Sequence, residues 1–536
     1  MSTATGLSRR RLTDRFLNGV ERVGNKLPEP FTLFLILFGI TAAVSTAMAW
    51  ANVTVQVPGS AEVTQIRGLF TAEGLTWLTE NLGPNYLGFP PLVTVLPILL
   101  AVGVAEKSGL LAAMIRRAFG SAPRWALPYA VGVVGVLGSI MSDAAFVVIP
   151  PLAALVFKAA GRHPVAGLLG GFAAAGAGYS TNLLVTSLDA LFAGITTAVT
   201  ATLPNPGSPV TPVSNYFFNV ASSLVLMFIA GFVIDKVLEP RLNRQGVPRD
   251  EVADDDAAVS ASAGTSASSG SQPDLRAELD PKETKALRWA MIAGVALAVI
   301  IAVAVTIPGS PWRNEEGGYL PRSPLLSSIV FIVFAMFVVP GLVYGKIVGT
   351  IASGKDVPRV MGHAIRDMAG FLVLAFILGQ FIALFNWSGI GQWIAVAGAT
   401  GLEAIGLTGY PAILGFIVLA SLLNLFIISG SAMWTLMAAV FVPLFVLLGY
   451  EPAFIQGAFR VGDSATQVIT PLNPYMIVLL AMLRKYEPEA GLGTLIARML
   501  PFVIPFWLAW ASILSIFYFF EIPMGPGNGI FLPPAE

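Results

Sequence analysis

The sequence predicts an all-α polytopic membrane protein with nine transmembrane helices plus two re-entrant hairpins, arranged as inverted repeats with broken helices. Composition gives the first reason: the 536 residues are 55% hydrophobic and only 12% charged, about half the charged fraction of a soluble domain. Several apolar runs also reach the roughly 20 residues that a helix needs to cross a bilayer. Finally, polar and Gly/Pro-rich interruptions occur at corresponding places in the two halves of the chain.

Two kinds of apolar segment are present. Apolar stretches 125–157 and 410–450 each have a polar kink near the middle, at Gly138–Asp143 and Ser429–Ala432. We therefore expect each of them to be a re-entrant hairpin that enters and leaves the membrane on the same side. The nine expected spans are 30–52, 88–106, 164–202, 214–236, 287–307, 324–346, 369–386, 452–483 and 500–521.

The positions of Lys and Arg predict the orientation, because cytoplasmic loops carry an excess of these residues. Under this assignment only Arg67, Arg313 and Arg322 of the 31 basic residues fall in outer loops, and Arg460 lies at membrane depth. We therefore expect the N-terminus on the cytoplasmic side and the C-terminus on the periplasmic side. The resulting divisions are a cytoplasmic N-terminus 1–29, a first half 30–244, a disordered cytoplasmic linker 245–284, a second half 285–521 and a periplasmic tail 522–536.

Charge and residue usage exclude several classes of protein. The net charge is zero, so there is no basic surface for nucleic acid. The chain has no cysteine, which excludes disulfides and thiolate metal sites. The only histidines, His163 and His363, stand beside basic residues in expected loops, so we expect both to be solvated. No cofactor is expected, apart from a possible bound Na⁺.

The two halves share an order of elements. In the first, hairpin 125–157 is followed by a span that is broken at Gly176–Asn182. In the second, hairpin 410–450 is followed by a span that is broken between Gly462 and Asn473. The first hairpin enters from the cytoplasm and the second from outside. Such paired, interrupted segments in oppositely oriented halves predict a secondary-transporter binding site near the bilayer midplane.

The segment Phe459–Pro474 has the residues that such a site needs. Arg460 and Asp463 are charged at membrane depth, where charge is costly and usually functional. Pro471 and Pro474 break helical hydrogen bonding. Helix N-termini attract an anionic substrate, while freed carbonyl and side-chain oxygens suit a hard cation. The candidate Na⁺ ligands are Ser142, Asp143, Ser180, Asn182, Thr466 and Asn473.

Each prominent side chain has a structural alternative. Arg460 either pairs with Asp463 as internal structure or holds a substrate carboxylate or sulfonamide anion. Asp189 and Asp463 are candidates to couple transport to a proton or sodium ion, although Asp189 could instead be a partner of a hairpin. Asp143 could simply cap backbone amides. Trp434 could stack on an aromatic substrate or serve in packing.

Five motifs resemble the p-aminobenzoyl-glutamate transporter (AbgT) family, within the wider ion-transporter superfamily. They are Ser142–Pro151, Ser180–Asp189, Ser431–Trp434, Arg460–Ser464 and Thr470–Tyr475. The resemblance implies a homodimer in which each subunit has its own pathway. It also implies export of p-aminobenzoate-type folate precursors and sulfonamide antimetabolites. The positions that resemble the family's functional residues are Asp189, Ser431, Trp434, Pro452, Arg460, Asp463 and Pro471.

We therefore expect a non-enzymatic secondary transporter of the bacterial inner membrane, which exports a small aromatic anion against a proton or sodium gradient. Import of p-aminobenzoyl-glutamate is the alternative, because alternating access is reversible. Two other classes fit less well. An intramembrane aspartyl protease needs two catalytic aspartates but has no use for two inverted hairpins. A passive channel would never accumulate its substrate.

Overall fold

The computed structural model describes residues 28–56, 63–120, 122–201, 203–250, 279–320, 322–427, 429–470 and 472–533. Most of these residues are helical. The predictions for residues 1–27, for the linker core 251–278, for Pro471 and for the last residues 534–536 fall outside the described chain.

Among its described residues, the first half has ten helices and a short antiparallel strand pair, β1 (Thr54–Gln56) with β2 (Val63–Gln65). A 3₁₀ turn at Ser139–Met141 follows the fifth helix, and a π-helical turn at Val233–Leu238 follows the ninth. The helices are α1 (Pro30–Trp50), α2 (Ala72–Leu87), α3 (Pro90–Lys107), α4 (Leu110–Gly120), α5 (Leu127–Gly138), α6 (Ala144–Ala159), α7 (Pro164–Ala177), α8 (Ser187–Thr200), α9 (Tyr216–Phe232) and α10 (Glu239–Arg244).

The second half continues with eleven helices within the described residues. They are α11 (Pro281–Thr306), α12 (Pro324–Ser327), α13 (Ile329–Val348), α14 (Asp356–Asp367), α15 (Ala369–Trp387), α16 (Ile390–Ala404), α17 (Tyr410–Leu423), α18 (Gly430–Leu447), α19 (Pro452–Gln467), α20 (Pro474–Arg484) and α21 (Leu492–Phe519).

Eight helical segments of the described chain are long and apolar enough to cross a membrane. Seven coincide with expected spans, and the eighth is α18, which the sequence assigned to a hairpin. The two remaining expected spans, 164–202 and 452–483, are each divided into two shorter helices. Helix α11 has exposed apolar side chains such as Val295 and Ile300, as a lipid-facing helix requires. The polytopic helical class is confirmed, and the count of nine crossings stays a prediction.

Close helix contacts show that α5 and α6 form an antiparallel pair. A Cβ atom on Gly135 would lie 2.2 Å from Ala174 Cβ, and one on Gly178 would lie 2.4 Å from Val136 O. Helix α5 therefore runs in the same direction as α7. Helix α6 runs the opposite way, because its Ala153 lies against Gly167, near the start of α7, and its Pro150 lies against Gly171 further on.

The second half repeats this arrangement with α17, α18 and α19. The contact of Gly462 with Ile417 and the hydrogen bond from Thr470 Oγ1 to Leu425 O (2.9 Å) align α17 in parallel with the α19 segment. The ring of Trp434 lies against Phe459, 4.6 Å between centroids, and that of Tyr450 against Phe454, so α18 runs antiparallel to α19. Both kinked segments are helical hairpins, and their re-entry into the membrane stays a prediction.

The segment after α21 fastens onto both halves. Glu451 N donates to Ile530 O (2.9 Å) and Leu532 N donates to Gly449 O (2.8 Å), next to the start of α19. Phe218 N, in the first turn of α9, donates to Met524 O (3.1 Å). This tail therefore ties the beginning of α9 to the turn between α18 and α19.

The loop before α7 is buried, contrary to the expectation for His163. Arg162 binds Asp235 (Nη2–Oδ1 2.5 Å) and Glu239, which draws the loop onto the end of α9 and the start of α10. His163 is fully buried, with Nε2 3.1 Å from Val247 O. The prediction of a solvated side chain is thus wrong for His163, whereas His363 is exposed.

Candidate functional site

Both hairpin turns and both broken spans meet in the interior. Asn182 Nδ2, in the first break, donates to Ser139 Oγ (2.9 Å) in the first hairpin turn. A Cβ atom on Gly430, at the second hairpin turn, would lie 3.1 Å from the Tyr179 ring and 3.4 Å from Asp463 Oδ2. One on Gly176 would lie 2.2 Å from Val468 Cγ1. Interruptions from the two halves therefore surround one small volume.

Both breaks overlap the stretches that the sequence predicts, Gly176–Asn182 and Gly462–Asn473. Residues 178–186 separate α7 from α8, whereas α19 continues through Gly462 to Gln467 and residues 468–473 separate it from α20. The second break therefore falls in the later part of the expected stretch, and the helix is intact at Gly462 itself. Gly462 serves instead in close packing against α17, so Arg460 and Asp463 project from an intact helix.

Arg460 is paired with Asp189, and not with Asp463, the partner that the structural alternative named. Its Nη1 lies 2.8 Å from Asp189 Oδ1, and the two side chains are 1% and 3% exposed. The guanidinium also donates to Ser180 O (2.8 Å) and to Asn215 Oδ1 (3.2 Å), and it lies over the Phe192 ring. A buried charge pair is tolerated only when such further hydrogen bonds satisfy it.

Asp189 uses both of its carboxylate oxygens. Oδ2 accepts from Thr186 N (2.8 Å) and Thr186 Oγ1 (2.9 Å), in a capping box that begins α8. Oδ1 accepts from Asn219 Nδ2 (3.0 Å) in addition to Arg460. This set consists of donors only, which suits an ionised, acceptor-only carboxylate.

Asp463 has a carboxylate oxygen that accepts no hydrogen bond within the described residues. It is 1% exposed, and its Oδ2 accepts from Ser180 Oγ (3.0 Å). Within the described ranges, its Oδ1 has no hydrogen-bond partner. A buried acceptor without a donor is costly, so this carboxylate oxygen has the capacity to accept a proton or to contact a small cation.

The six candidate Na⁺ ligands have different contacts in this structure. Asn182 donates to Val136 O (3.0 Å) at the first hairpin, and Thr466 Oγ1 accepts from Asn424 Nδ2 (3.0 Å) at the second. Asn473 caps α20 by accepting from Tyr475 N (2.9 Å). The hydroxyl of Ser180 donates to Asp463. Ser142 and Asp143 lie in the turn of the first hairpin, and Asp143 is exposed.

In the described part of the chain, no hydrogen bond joins Asn182 to Thr466 or Asn473. No group of three or more His, Asp or Glu side chains is placed there to hold a metal ion. All six side chains stay candidate Na⁺ ligands.

Trp434 lies in the protein interior in this conformation. It is fully buried, its Nε1 donates to Thr196 Oγ1 (3.1 Å) and Phe192 O (3.3 Å), and its ring lies against Phe459. Ser431, one turn earlier in α18, lies beside Ser429, with 3.0 Å between the hydroxyl oxygens. The geometry therefore favours the packing alternative for Trp434 in this state. Pro452 is the buried first residue of α19.

Sequence reasoning missed several polar residues that hold this site. They share one signal, which is a side-chain amide or hydroxyl inside an apolar span; such groups form interhelical hydrogen bonds because lipid offers no alternative partner. These residues are Thr196, Asn215, Asn219, Asn424 and Gln456.

Comparison with known proteins covers almost the whole chain. The p-aminobenzoyl-glutamate transport protein of Escherichia coli (strain K12) is 36% identical over 509 residues, 95% of each chain. The solved structure of the Alcanivorax borkumensis YdaH transporter matches with a TM-score of 0.84 and 36% identity, over 93% of this chain and 100% of that one.

The Neisseria gonorrhoeae MtrF structure, described as illuminating a class of antimetabolite efflux pumps, gives a TM-score of 0.84 and 37% identity. It covers 96% of this chain and 100% of its own. A family model for the AbgT putative transporter family matches residues 15–532. The chain therefore belongs to the AbgT family of membrane transporters.

Proposed function

We propose that the protein is a secondary active transporter that exports sulfonamide antimetabolites and p-aminobenzoate-type folate precursors, driven by a proton or sodium gradient. One observation supports export as the direction of transport. MtrF, which is 37% identical over 96% of this chain, belongs to a class described as antimetabolite efflux pumps. The shared chemistry of these substrates is an aromatic ring with an anionic group, for which a buried guanidinium is a suitable partner.

Arg460 is the proposed anion-binding group. Its guanidinium is held by Asp189, and an incoming carboxylate or sulfonamide anion would take the place of that aspartate. Charge-assisted bonds from a planar guanidinium are among the strongest hydrogen bonds that a protein offers. The buried positive charge then stays compensated, while the displaced Asp189 carboxylate keeps its hydrogen bonds from Thr186 and Asn219.

Asp463 is the proposed coupling group, and Ser180 connects it to Arg460. The backbone oxygen of Ser180 accepts from Arg460 (2.8 Å) while its hydroxyl donates to Asp463 (3.0 Å). A proton or Na⁺ at Asp463 would compete for the same carboxylate and so shift Ser180. Occupancy by the coupling ion would thereby alter the partner set of Arg460. The proposed further contacts for Na⁺ are the side-chain oxygens of Ser142, Asp143, Ser180, Asn182, Thr466 and Asn473.

Import of p-aminobenzoyl-glutamate is the second candidate. The Escherichia coli relative, which is 36% identical, is named as a transport protein for that compound. Its glutamate carboxylates would suit Arg460 equally well. The same site would then operate with the opposite direction of net flux.

The proposed setting is a homodimer in the bacterial inner membrane, with a cytoplasmic N-terminus and a periplasmic C-terminus. The asymmetric distribution of Lys and Arg supports the orientation, and the family resemblance supports the dimer.

Expression in a sulfonamide-sensitive bacterium tests the proposal. We expect the full-length protein to raise sulfonamide tolerance and to lower cellular p-aminobenzoate, and we expect Asp463→Asn, at matched abundance, to do neither. Raised cellular p-aminobenzoyl-glutamate, without a change in tolerance, would instead establish the importer.

A further inference from the structure

A chain of buried polar side chains connects Trp434 to Arg460. We propose that Thr196, Gln456 and Asn215 are positioning residues that hold the Arg460 guanidinium beside Asp189 and make its placement depend on where helix α18 holds Trp434. The inference rests on the proposed role of Arg460 as the anion-binding group, and it adds three residues on which substrate affinity depends.

The first part of the chain joins the second hairpin to α19. Trp434 Nε1, on α18, donates to Thr196 Oγ1, on α8, over 3.1 Å. The same hydroxyl lies 2.7 Å from the side-chain amide of Gln456, on α19. These three side chains are almost fully buried, so water does not replace either contact. Thr196 therefore connects helices from both halves of the protein.

The second part reaches Arg460 in either orientation of the Gln456 amide. In one orientation Nε2 donates to Asn215 Oδ1 (2.8 Å), which also accepts from Arg460 Nε (3.2 Å). In the other, the Gln456 oxygen lies 3.3 Å from Arg460 Nη2 while its nitrogen faces Thr196. Asn215 is itself fixed by a bond from its Nδ2 to Ala453 O (2.7 Å).

Outside the chain, the Thr196 hydroxyl (2.8 Å) and the Trp434 indole (3.3 Å) share one further partner, the backbone oxygen of Phe192. Removing one partner of a buried hydrogen bond leaves the other unsatisfied, and that penalty exceeds the net worth of the bond. If α18 moves and withdraws Trp434, the Thr196 hydroxyl and the Gln456 amide must rearrange, and the contact of Gln456 with Asn215 or with the guanidinium changes with them. Movement of the hairpin and the affinity of Arg460 for an anion are thus linked.

The test uses an isosteric variant and a matched control from the same helix. Thr196→Val removes the hydroxyl and keeps the shape. Thr200→Val makes the same change one turn later, where the hydroxyl bonds only to backbone oxygens of its own helix, Thr196 O and Thr197 O. Uptake of labelled p-aminobenzoate into everted vesicles that contain the full-length chain gives KM and the maximal rate.

We expect Thr196→Val to raise KM about tenfold, which corresponds to loss of one buried hydrogen bond, with the maximal rate kept within about twofold. Trp434→Phe, which removes the indole donor, should raise KM similarly, and the double variant should add less than about twofold because both changes cut the same connection. Thr200→Val should behave as wild type. The inference is wrong if Thr196→Val matches Thr200→Val, or if the two effects multiply.

A measurement that needs no substrate distinguishes failure of this inference from failure of the proposed function. If wild-type vesicles move no p-aminobenzoate, the proposed function fails, and thermal unfolding then decides the inference. Thr196→Val and Arg460→Lys do not touch each other, yet the chain predicts that their shifts in Tm are smaller in combination than their sum. Fully additive shifts would overturn it.

Discussion

Arg460 on α19 and Asp189 on α8 form an ion pair that joins the two halves of the protein, with Nη1 and Oδ1 2.8 Å apart and both side chains almost fully buried. The pair lies between the first helix break and the second hairpin. Its position explains how one interior site can respond to elements of both repeats. Four testable predictions follow from this pair and from other contacts in the structure.

Removing one member of the pair should destabilise the fold more than removing both. Arg460→Met leaves Asp189 buried without its cation, which costs about 3–5 kcal/mol. The double variant Arg460→Met/Asp189→Leu leaves no unpaired charge and should unfold at a higher temperature than Arg460→Met alone. Thermal unfolding in detergent measures this, with abundance in the membrane as a second readout. A double variant that is less stable than either single one would show that the pair is not the dominant interaction.

Neutralising Asp463 should separate folding from coupling. In Asp463→Asn the amide oxygen can still accept from Ser180 Oγ, so we expect a folded protein with a near-normal Tm. Because the variant has no carboxylate to bind a proton or Na⁺, gradient-driven accumulation should disappear while exchange of labelled for unlabelled substrate persists. Counterflow in vesicles measures the exchange. Accumulation at the wild-type level would remove Asp463 from the coupling role.

Gly462 should tolerate no side chain, although it does not break its helix. A Cβ atom there would lie 2.5 Å from Ala420 Cβ and 2.7 Å from Ile417 O, so Gly462→Ala should cost about 1–3 kcal/mol by overpacking. Gly415, on the facing helix α17, has open space around it. Gly415→Ala should be neutral or should stabilise by up to about 1 kcal/mol through helix propensity. Equal melting temperatures for the two variants would contradict the close α17–α19 contact.

His163 should make stability depend on pH. Burial lowers the pKa of His163, opposed by its hydrogen bond with Val247 O; Arg249 and Arg498 also lower it, and Glu239 raises it. A lowered pKa means that the unfolded chain binds this proton more readily than the folded protein. Stability is therefore fully present above the ordinary histidine pKa of about 6.5 and is lost as the pH falls through that value towards the folded pKa.

Melting curves between about pH 8 and pH 5 check this expectation. The wild type should lose more stability than His163→Gln over the acid half of the range, and the exposed His363→Gln should follow the wild type. Parallel curves for wild type and His163→Gln would show that His163 does not contribute to the pH dependence of stability.

Hydropathy and interruption patterns predicted the larger features of the fold. The apolar runs coincide with α1, α9, α11, α13, α15 and α21 because lipid-spanning helices must satisfy their own backbone groups. The kink at Gly138–Asp143 marks the first hairpin turn, whereas the kink at Ser429–Ala432 lies at the end of the second turn, where Ser429 caps α18. The homologous order of elements then predicted that the interruptions converge.

The partners of individual charges were not predictable from local spacing. Arg460 and Asp463 stand one helical turn apart, which suggested that they pair, yet Asp189 from the other half takes the guanidinium and Ser180 takes Asp463. Which of two carboxylates meets a guanidinium depends on the packing of α8 against α19, and no sequence period encodes that. His163 was misjudged for the same reason, since the ion pairs of Arg162 draw its loop inward.

Flux of labelled p-aminobenzoate in proteoliposomes, with proton and sodium gradients imposed separately, tests the central claim that this interior site couples an aromatic anion to an ion gradient. We predict accumulation driven by one of the two gradients in wild type, and exchange without accumulation in Asp463→Asn. Downhill flux that neither gradient can drive uphill, identical in wild type and Asp463→Asn, would contradict it.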